Sequence, residues 1–305
     1  MFQEQYIKMA RLNQNIVIPD NTRLNKSHEF ADSEIESIKI GRSVEISGDY
    51  VFARCNNIRE LVIPSETILS GYGIFYCSNG LQNLRINDNV QLTGNYIFQD
   101  CQLLESIFIG NSINIVGNSM FCRLCNLQRI QFSPNTTFSG YYLFTECESI
   151  QEITIPDNCT INGDFFFSKC TGLLRIIIGN NVVIRGSNCF YRCSNIQSIT
   201  IGDNVTISGL NFLEGCFANQ NVDVTIGLNY VGYPIHIPMP ILHVSKFADV
   251  KSDLRFEAKK CAISMENFED ESDVIVLICG HVFLLQPLQK WIEIQKICPT
   301  CKHGI

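Results

Sequence analysis

No apolar run in this sequence approaches the roughly 18 residues that a helix needs to cross a bilayer, which excludes a membrane-spanning helix. The N-terminal stretch "MFQEQYIKMARLNQ" has no apolar core followed by small residues, so it is read as carrying no signal peptide. Charge is scarce at 17% of residues, and basic charge is scarcer. The 23 Lys and Arg against 30 Asp and Glu leave a net charge of −7 with no cluster of basic residues, which argues against nucleic acid as the main partner. Hydrophobic residues, by contrast, make up 46% of the chain, enough for a folded core rather than a disordered tail. The expectation is an intracellular, cytoplasmic protein bound to no membrane, in a compartment that keeps thiols reduced. Its 15 cysteines are then expected to be core residues or metal ligands rather than disulfides. In that setting the N-x-S/T triplets at Asn135, Asn158 and Asn204 imply no glycan.

What the chain does have is a repeat. Aliphatic residues fall at Ile35, Ile58, Leu81, Leu104, Leu127, Ile150, Leu173 and Ile196, each 23 positions after the last. Thirteen positions further on stands a glycine every time, from Gly48 to Gly209, and seventeen on stand Phe52, Phe75, Phe98, Phe121, Phe144, Phe167 and Phe190, then Leu213. A degenerate copy precedes these, with Lys26 where glycine belongs, and a truncated one follows at Val222 to Ile226. Atypical terminal copies are what a stacked solenoid needs. Within a copy, aliphatics such as Ile150, Ile153 and Ile155 end in alternation and predict a short strand; a "PDN" or "GDN" turn and a second apolar pair such as Val205 and Ile207 follow. The glycine predicts a tight bend or a close backbone approach. The expected fold is a mainly β repeat solenoid over residues 35–226, capped by residues 1–34 and followed by a small ββα domain.

The pattern L-x-x-I-x-I-x-x-N-x-x-I-x-G-x-x-x-F-x-x-C resembles the BspA-like class of leucine-rich repeats. The resemblance implies a binding scaffold and names no ligand. The cysteines twenty positions into each copy (Cys55, Cys101, Cys147, Cys170, Cys193, Cys216) read as a packing slot, because Ser78 and Leu124 also fill it. The same reading extends to Cys77, Cys122, Cys125, Cys159 and Cys189. The outward positions of the strands are mostly polar, with apolar exceptions at Phe108, Leu174 and Ile177, the first places to look for a bound protein substrate.

After Gly227 the 23-residue beat stops. Residues 227–258 include the proline-rich "YPIHIPMPI" and read as a connector, in which His236 and His243 have no second ligand at suitable spacing. Residues 259–305 contain two close pairs, Cys279-Gly-His281 and Cys298-Pro-Thr-Cys301. Thiolate and imidazole pairs at this spacing clamp a tetrahedral zinc ion, and so small a unit needs the metal's folding energy. Val274–Ile278 and Val282–Phe283 predict a hairpin, and a helix is predicted from Leu285 with Leu288, Trp291, Ile292 and Gln295 on one face.

The run C-x-I…C-G-H-x-F…L-x-x-W…C-P-x-C resembles the RING finger of ubiquitin ligases. That resemblance implies a cross-brace of two zinc sites. The second would be complete in Cys279, His281, Cys298 and Cys301, while the first keeps only Cys261, with Ser264, Leu284 and Pro287 replacing its other ligands. One zinc ion is expected. By the same resemblance Ile263, Trp291 and Pro299 would dock a ubiquitin-conjugating enzyme, and Lys302 stands where many active members place a ubiquitin-steadying arginine. Such domains hold the charged enzyme and perform no covalent chemistry themselves, so no catalytic residue is assigned. "CAIS" at 261–264 and the single retained site also resemble the SP-RING of SUMO ligases, whereas Trp291 and the two-residue gap before Cys301 are closer to ubiquitin RINGs. The lost ligands and Lys302 leave a third reading open, a non-catalytic interaction scaffold stabilised by zinc.

Overall fold

The computed structural model describes residues 14–216, 222–232, 245–246, 260–277, 281–294 and 298–300. They fall into two compact units, one made of the described residues up to 232 and the other of those from 245 on. The proposed linker lies largely outside the described residues.

The first unit is a stack of ten coils. Each contributes one front strand, from Asn15–Ile18 to Asp223–Ile226, and one shorter back strand, from Arg23–Leu24 to Val231–Gly232. All pairing between coils is parallel and in register: Glu152 faces Arg175 and then Ser198, and Ile153 faces Ile176 and then Ile199. In most of the front strands inward positions carry buried aliphatics and outward positions are exposed, as the alternation predicts, as in Glu152–Ile155. Behind the strands the phenylalanines form a column. Phe30, Phe52, Phe75, Phe98, Phe121, Phe144, Phe167 and Phe190 stack with ring centroids 4.9–5.6 Å apart and planes within 17° of parallel.

The glycine column is explained by close approach. A Cβ on Gly163 would run into the carbonyl oxygen of Gly140 in the preceding coil, and the same holds from Gly71 to Gly209. Lys26 occupies this slot in the first coil, the end of the stack.

The cysteine slot proves to be more than apolar filling. Each thiol donates to the carbonyl of the column phenylalanine one coil back: Cys55 to Phe30, Cys101 to Phe75, Cys147 to Phe121, Cys170 to Phe144, Cys193 to Phe167 and Cys216 to Phe190, at 2.8–3.4 Å. Ser78 makes the same bond to Phe52 at 2.9 Å, which is why serine fits there. Burial pushes the Cys170 and Cys193 thiols well above their ordinary range, so they are inert donors rather than thiolates. The packing reading fails for Cys125, whose side chain is exposed, and holds only in part for Cys77, which is half-buried.

The back strands form one continuous ten-stranded sheet, but the front strands do not. They divide into Asn15–Ile18 with Ser37–Ile40, then the four strands from Glu60–Ile63 to Arg129–Phe132, then the four from Glu152–Ile155 to Asp223–Ile226. The cause lies in the residue after each strand. Gly41, Asn87, Gly110, Ser133, Gly179, Gly202 and Gly227 all donate their backbone N–H to the last carbonyl of the preceding front strand. At the two breaks this residue is Pro64 or Pro156, which has no N–H to give.

Candidate functional site

The C-terminal unit is built around a hairpin. Asp273–Val276 pairs antiparallel with Val282–Leu284, with Val274 opposite Leu284 and Val276 opposite Val282. Leu277 N–H donates to His281 C=O at 2.9 Å and extends the ladder by one step. The strand observed ends two residues before the predicted Ile278, which lies outside the described residues. Ser245–Lys246 adds a third strand on the other side of Asp273–Val276. The helix Leu285–Ile294 follows directly, with Pro287 in its first turn, where its missing N–H costs nothing.

These elements close on one apolar cluster: Cys261, Ile275, Leu277, Phe283, Leu288 and Cys298, with Ile263, Phe268, Leu284 and Leu285 packed against it. Cys298, at the start of the terminal turn, is fully buried, and His281, at the foot of the returning strand, is half-buried. Cys279, Cys301 and Lys302 lie outside the described residues. The donor set that the described part contributes, one buried thiol and one imidazole at the end of a hairpin turn, is of the kind zinc prefers, so the residues fit that metal. Zinc bound there would tie the hairpin turn to the terminal turn.

Two of the three positions read as replacing ligands of the first site, Ser264 and Leu284, lie beside Cys261. Beside the Cys261 sulfur lie the backbone N–H groups of Ser264, Leu284 and Ile263 and the Ser264 hydroxyl, all of which favour its thiolate. Burial pushes this thiol up, but those four donors outweigh it and hold the thiol below its ordinary range. Met265 N–H donates to Cys261 C=O and Cys261 N–H to Glu266 C=O, each at 2.8 Å, so the loop folds tightly around the sulfur. Ser264 and Leu284 thus act on Cys261 as donors. The Leu284 amide could not have been found from the sequence, because nothing in a side chain reports where a backbone N–H points.

Ile263 on this loop, Trp291 on the helix and Pro299 in the terminal turn are each half-buried, so each offers part of its surface to solvent. Of the residues singled out on the repeats, Phe108 is half-buried in the four-stranded front sheet, under the Arg85 guanidinium, which lies 4.0 Å from its ring centre. Leu174 and Ile177 are also half-buried but belong to the coil of strand Arg175–Ile178, beyond the break at Pro156. The structure therefore does not join the three into one patch.

The BspA type leucine-rich repeat region model matches this sequence in six copies, over residues 25–151 and 91–223, more than half of the chain. The chain belongs to the BspA-type leucine-rich repeat family. This BspA-type protein also carries a ring finger domain, matched over residues 259–302. Over 55 residues it is 42% identical to an E3 ubiquitin-protein ligase RING1-like of Arabidopsis thaliana, covering 18% of this chain and 17% of that one. Over 52 residues it is 35% identical to RING finger protein 122 of Homo sapiens, covering 17% of this chain and 34% of that one. The chain thus spans from about a sixth to a third of the length of these relatives. Among solved structures, a leucine-rich repeat protein from Bacteroides ovatus is 19% identical, with a TM-score of 0.42 over 72% of this chain and 66% of that one.

Proposed function

We propose that this protein is a RING-type ubiquitin-protein ligase acting inside the cell, in which the repeat unit selects a protein substrate and the C-terminal unit recruits a ubiquitin-conjugating enzyme. The observation that carries this reading is the closure of loop, hairpin, helix and terminal turn on one buried cluster, which leaves Ile263, Trp291 and Pro299 half-exposed on three different segments. In this reading one zinc ion sits on Cys279, His281, Cys298 and Cys301, and the donors around Cys261 do the work of the second. The chain's part in the reaction is positional: it holds the charged enzyme near the substrate and offers no nucleophile of its own. Lys302 would supply charge toward ubiquitin without the planar fork of an arginine.

The test is reconstitution with activating enzyme, a panel of conjugating enzymes and ubiquitin, with a parallel arm supplying SUMO components. Ubiquitin chains are expected with at least one enzyme of the panel. Trp291→Ala is expected to lower their rate on the order of 30-fold, the loss of about 2 kcal/mol typical of a buried aromatic anchor. Chains with no enzyme, or an unaffected Trp291→Ala protein, would leave the non-catalytic scaffold as the better account. Product only in the SUMO arm would reassign the modifier.

A further inference from the structure

The proline breaks give the front face a feature that a regular repeat would not have. Between Pro64 and Pro156 the four strands from Glu60–Ile63 to Arg129–Phe132 floor a trough of about 700 Å³ that runs on across the Pro156 break to Glu152 and Thr154. The outward side chains along its middle are Val62, Arg85, Phe108, Gln131 and Thr154, apolar at two of the five. Val62 is exposed, Phe108 is half-buried, and Ile130 is half-buried at the break, although its counterparts Leu61, Leu84, Ile107 and Ile153 are all buried.

The charges in this trough are uneven, and the break is the reason. Arg129, Glu152 and Arg175 occupy the same position on three successive front strands. Glu152 has an arginine on each side and accepts from Arg175 Nε at 2.7 Å, the neighbour that shares its sheet. Arg129, across the break, is exposed, and its guanidinium has no partner among the described residues. Arg85 donates from Nε to Asn87 Oδ1 at 3.1 Å, and its guanidinium carbon lies 4.0 Å from the centre of the Phe108 ring. Glu60 stands at the far edge, on the first strand. In a chain of net charge −7, two guanidinium groups thus line the trough, with the free carboxylate at one end only.

We propose that this trough receives an extended acidic protein segment that sets an apolar side chain over Phe108 and a carboxylate on Arg129. The inference rests on the reading that the repeat unit selects substrate, and it names the chemistry of that substrate. The uncompensated arginine supplies the charge complementarity, and the fork of a guanidinium suits a carboxylate bidentately. Exposed Val62 and half-buried Phe108 require that the segment bring an apolar side chain as well, which a bare polyanion does not. Glu60 orients the segment, with its acidic part toward the Pro156 break.

The experiment is fluorescence anisotropy of the full chain with three short labelled peptides of equal length. One alternates glutamate with leucine, the second has lysine for every glutamate, and the third has serine for every leucine. The glutamate–leucine peptide is expected to bind best, with the other two weaker by about tenfold or more. Arg129→Glu and Phe108→Ala are each expected to weaken it by about tenfold with the thermal unfolding curve unchanged, whereas Arg192→Glu, outside the trough, leaves it as it was. Equal binding of all three peptides, no binding at all by the folded protein, or indifference to Arg129→Glu would overturn the proposal. Ubiquitin chain formation without peptide separates the two claims. Chains without peptide binding remove this inference alone, and peptide binding without chains keeps it and removes the ligase reading.

Discussion

Replacing Cys298 with serine is expected to release zinc from the C-terminal unit and to abolish ubiquitin chain formation, while the repeat unit unfolds at its usual point. Serine differs from cysteine by one atom, so lost volume is not the reason. Structural zinc contributes on the order of 10 kcal/mol to a unit of this size, and in the proposed set the ion would lose one of its four ligands. Cys298 is also a fully buried member of the only apolar cluster among the described residues of the unit, alongside Ile275, Leu277, Phe283 and Leu288. Cys261→Ser provides the contrast. That sulfur is held by the amides of Ile263, Ser264 and Leu284 rather than by a metal in this account, so its replacement should retain the zinc and cost only about 1–3 kcal/mol of stability. Zinc release measured with a chromogenic chelator, beside the ubiquitination assay, reads both outcomes. A Cys298→Ser protein that keeps its zinc would show that the ligand set is wrong.

Phe121→Ala is the second large effect, and it concerns the repeats. Phe121 is fully buried in the middle of the column, its ring 5.6 Å from Phe98 and 4.9 Å from Phe144. Truncation leaves a ring-sized void that neither neighbour can fill, because each is fixed by its own coil. The expected loss is about 3–5 kcal/mol, read from the denaturant midpoint of the repeat unit. Phe30→Ala, at the end of the stack with a single stacked neighbour in Phe52, should cost less. Since coils contact only their neighbours, the mid-column loss should also broaden the transition. A Phe121→Ala midpoint equal to that of Phe30→Ala would mean that the column is not the element that couples the coils.

The solenoid was legible because its constraints repeat in kind. Only glycine satisfies the close approach between Gly140 and Gly163, and only a large apolar ring continues the Phe121 column, so both residue types recur unaltered every 23 positions. Constraints carried by the backbone were not legible. Tyr50, Tyr96, Tyr142 and Phe165 all adopt a left-handed backbone with φ between 54° and 60°, which bulky side chains resist. Each is held there by its N–H donating to the next coil, as Tyr50 does to Tyr72 C=O at 2.7 Å, and that bond overrides the local preference. The breaks at Pro64 and Pro156 were hidden for a related reason. In the sequence they look like ordinary turn prolines, and only the register shows that the amide they lack is the one that joins front strands.

In the C-terminal unit the proposed ligand set rests on side-chain spacing alone, whereas the main-chain part of the site could not be read from the sequence. The spacing of Cys279, His281, Cys298 and Cys301 announces a metal, and Ser264 beside Cys261 announces a hydrogen bond in place of one. The Leu284 amide that completes the Cys261 socket appears only once the hairpin and the 262–264 loop have been brought together.

The most direct test of the account is the zinc content of the purified full chain, by mass spectrometry under non-denaturing conditions or by metal analysis against protein concentration. One ion per chain is the predicted result, lost in Cys298→Ser and retained in Cys261→Ser. Two ions per chain would mean that the Cys261 socket binds metal after all, and none would remove the zinc-built ring finger on which the proposed recruitment depends.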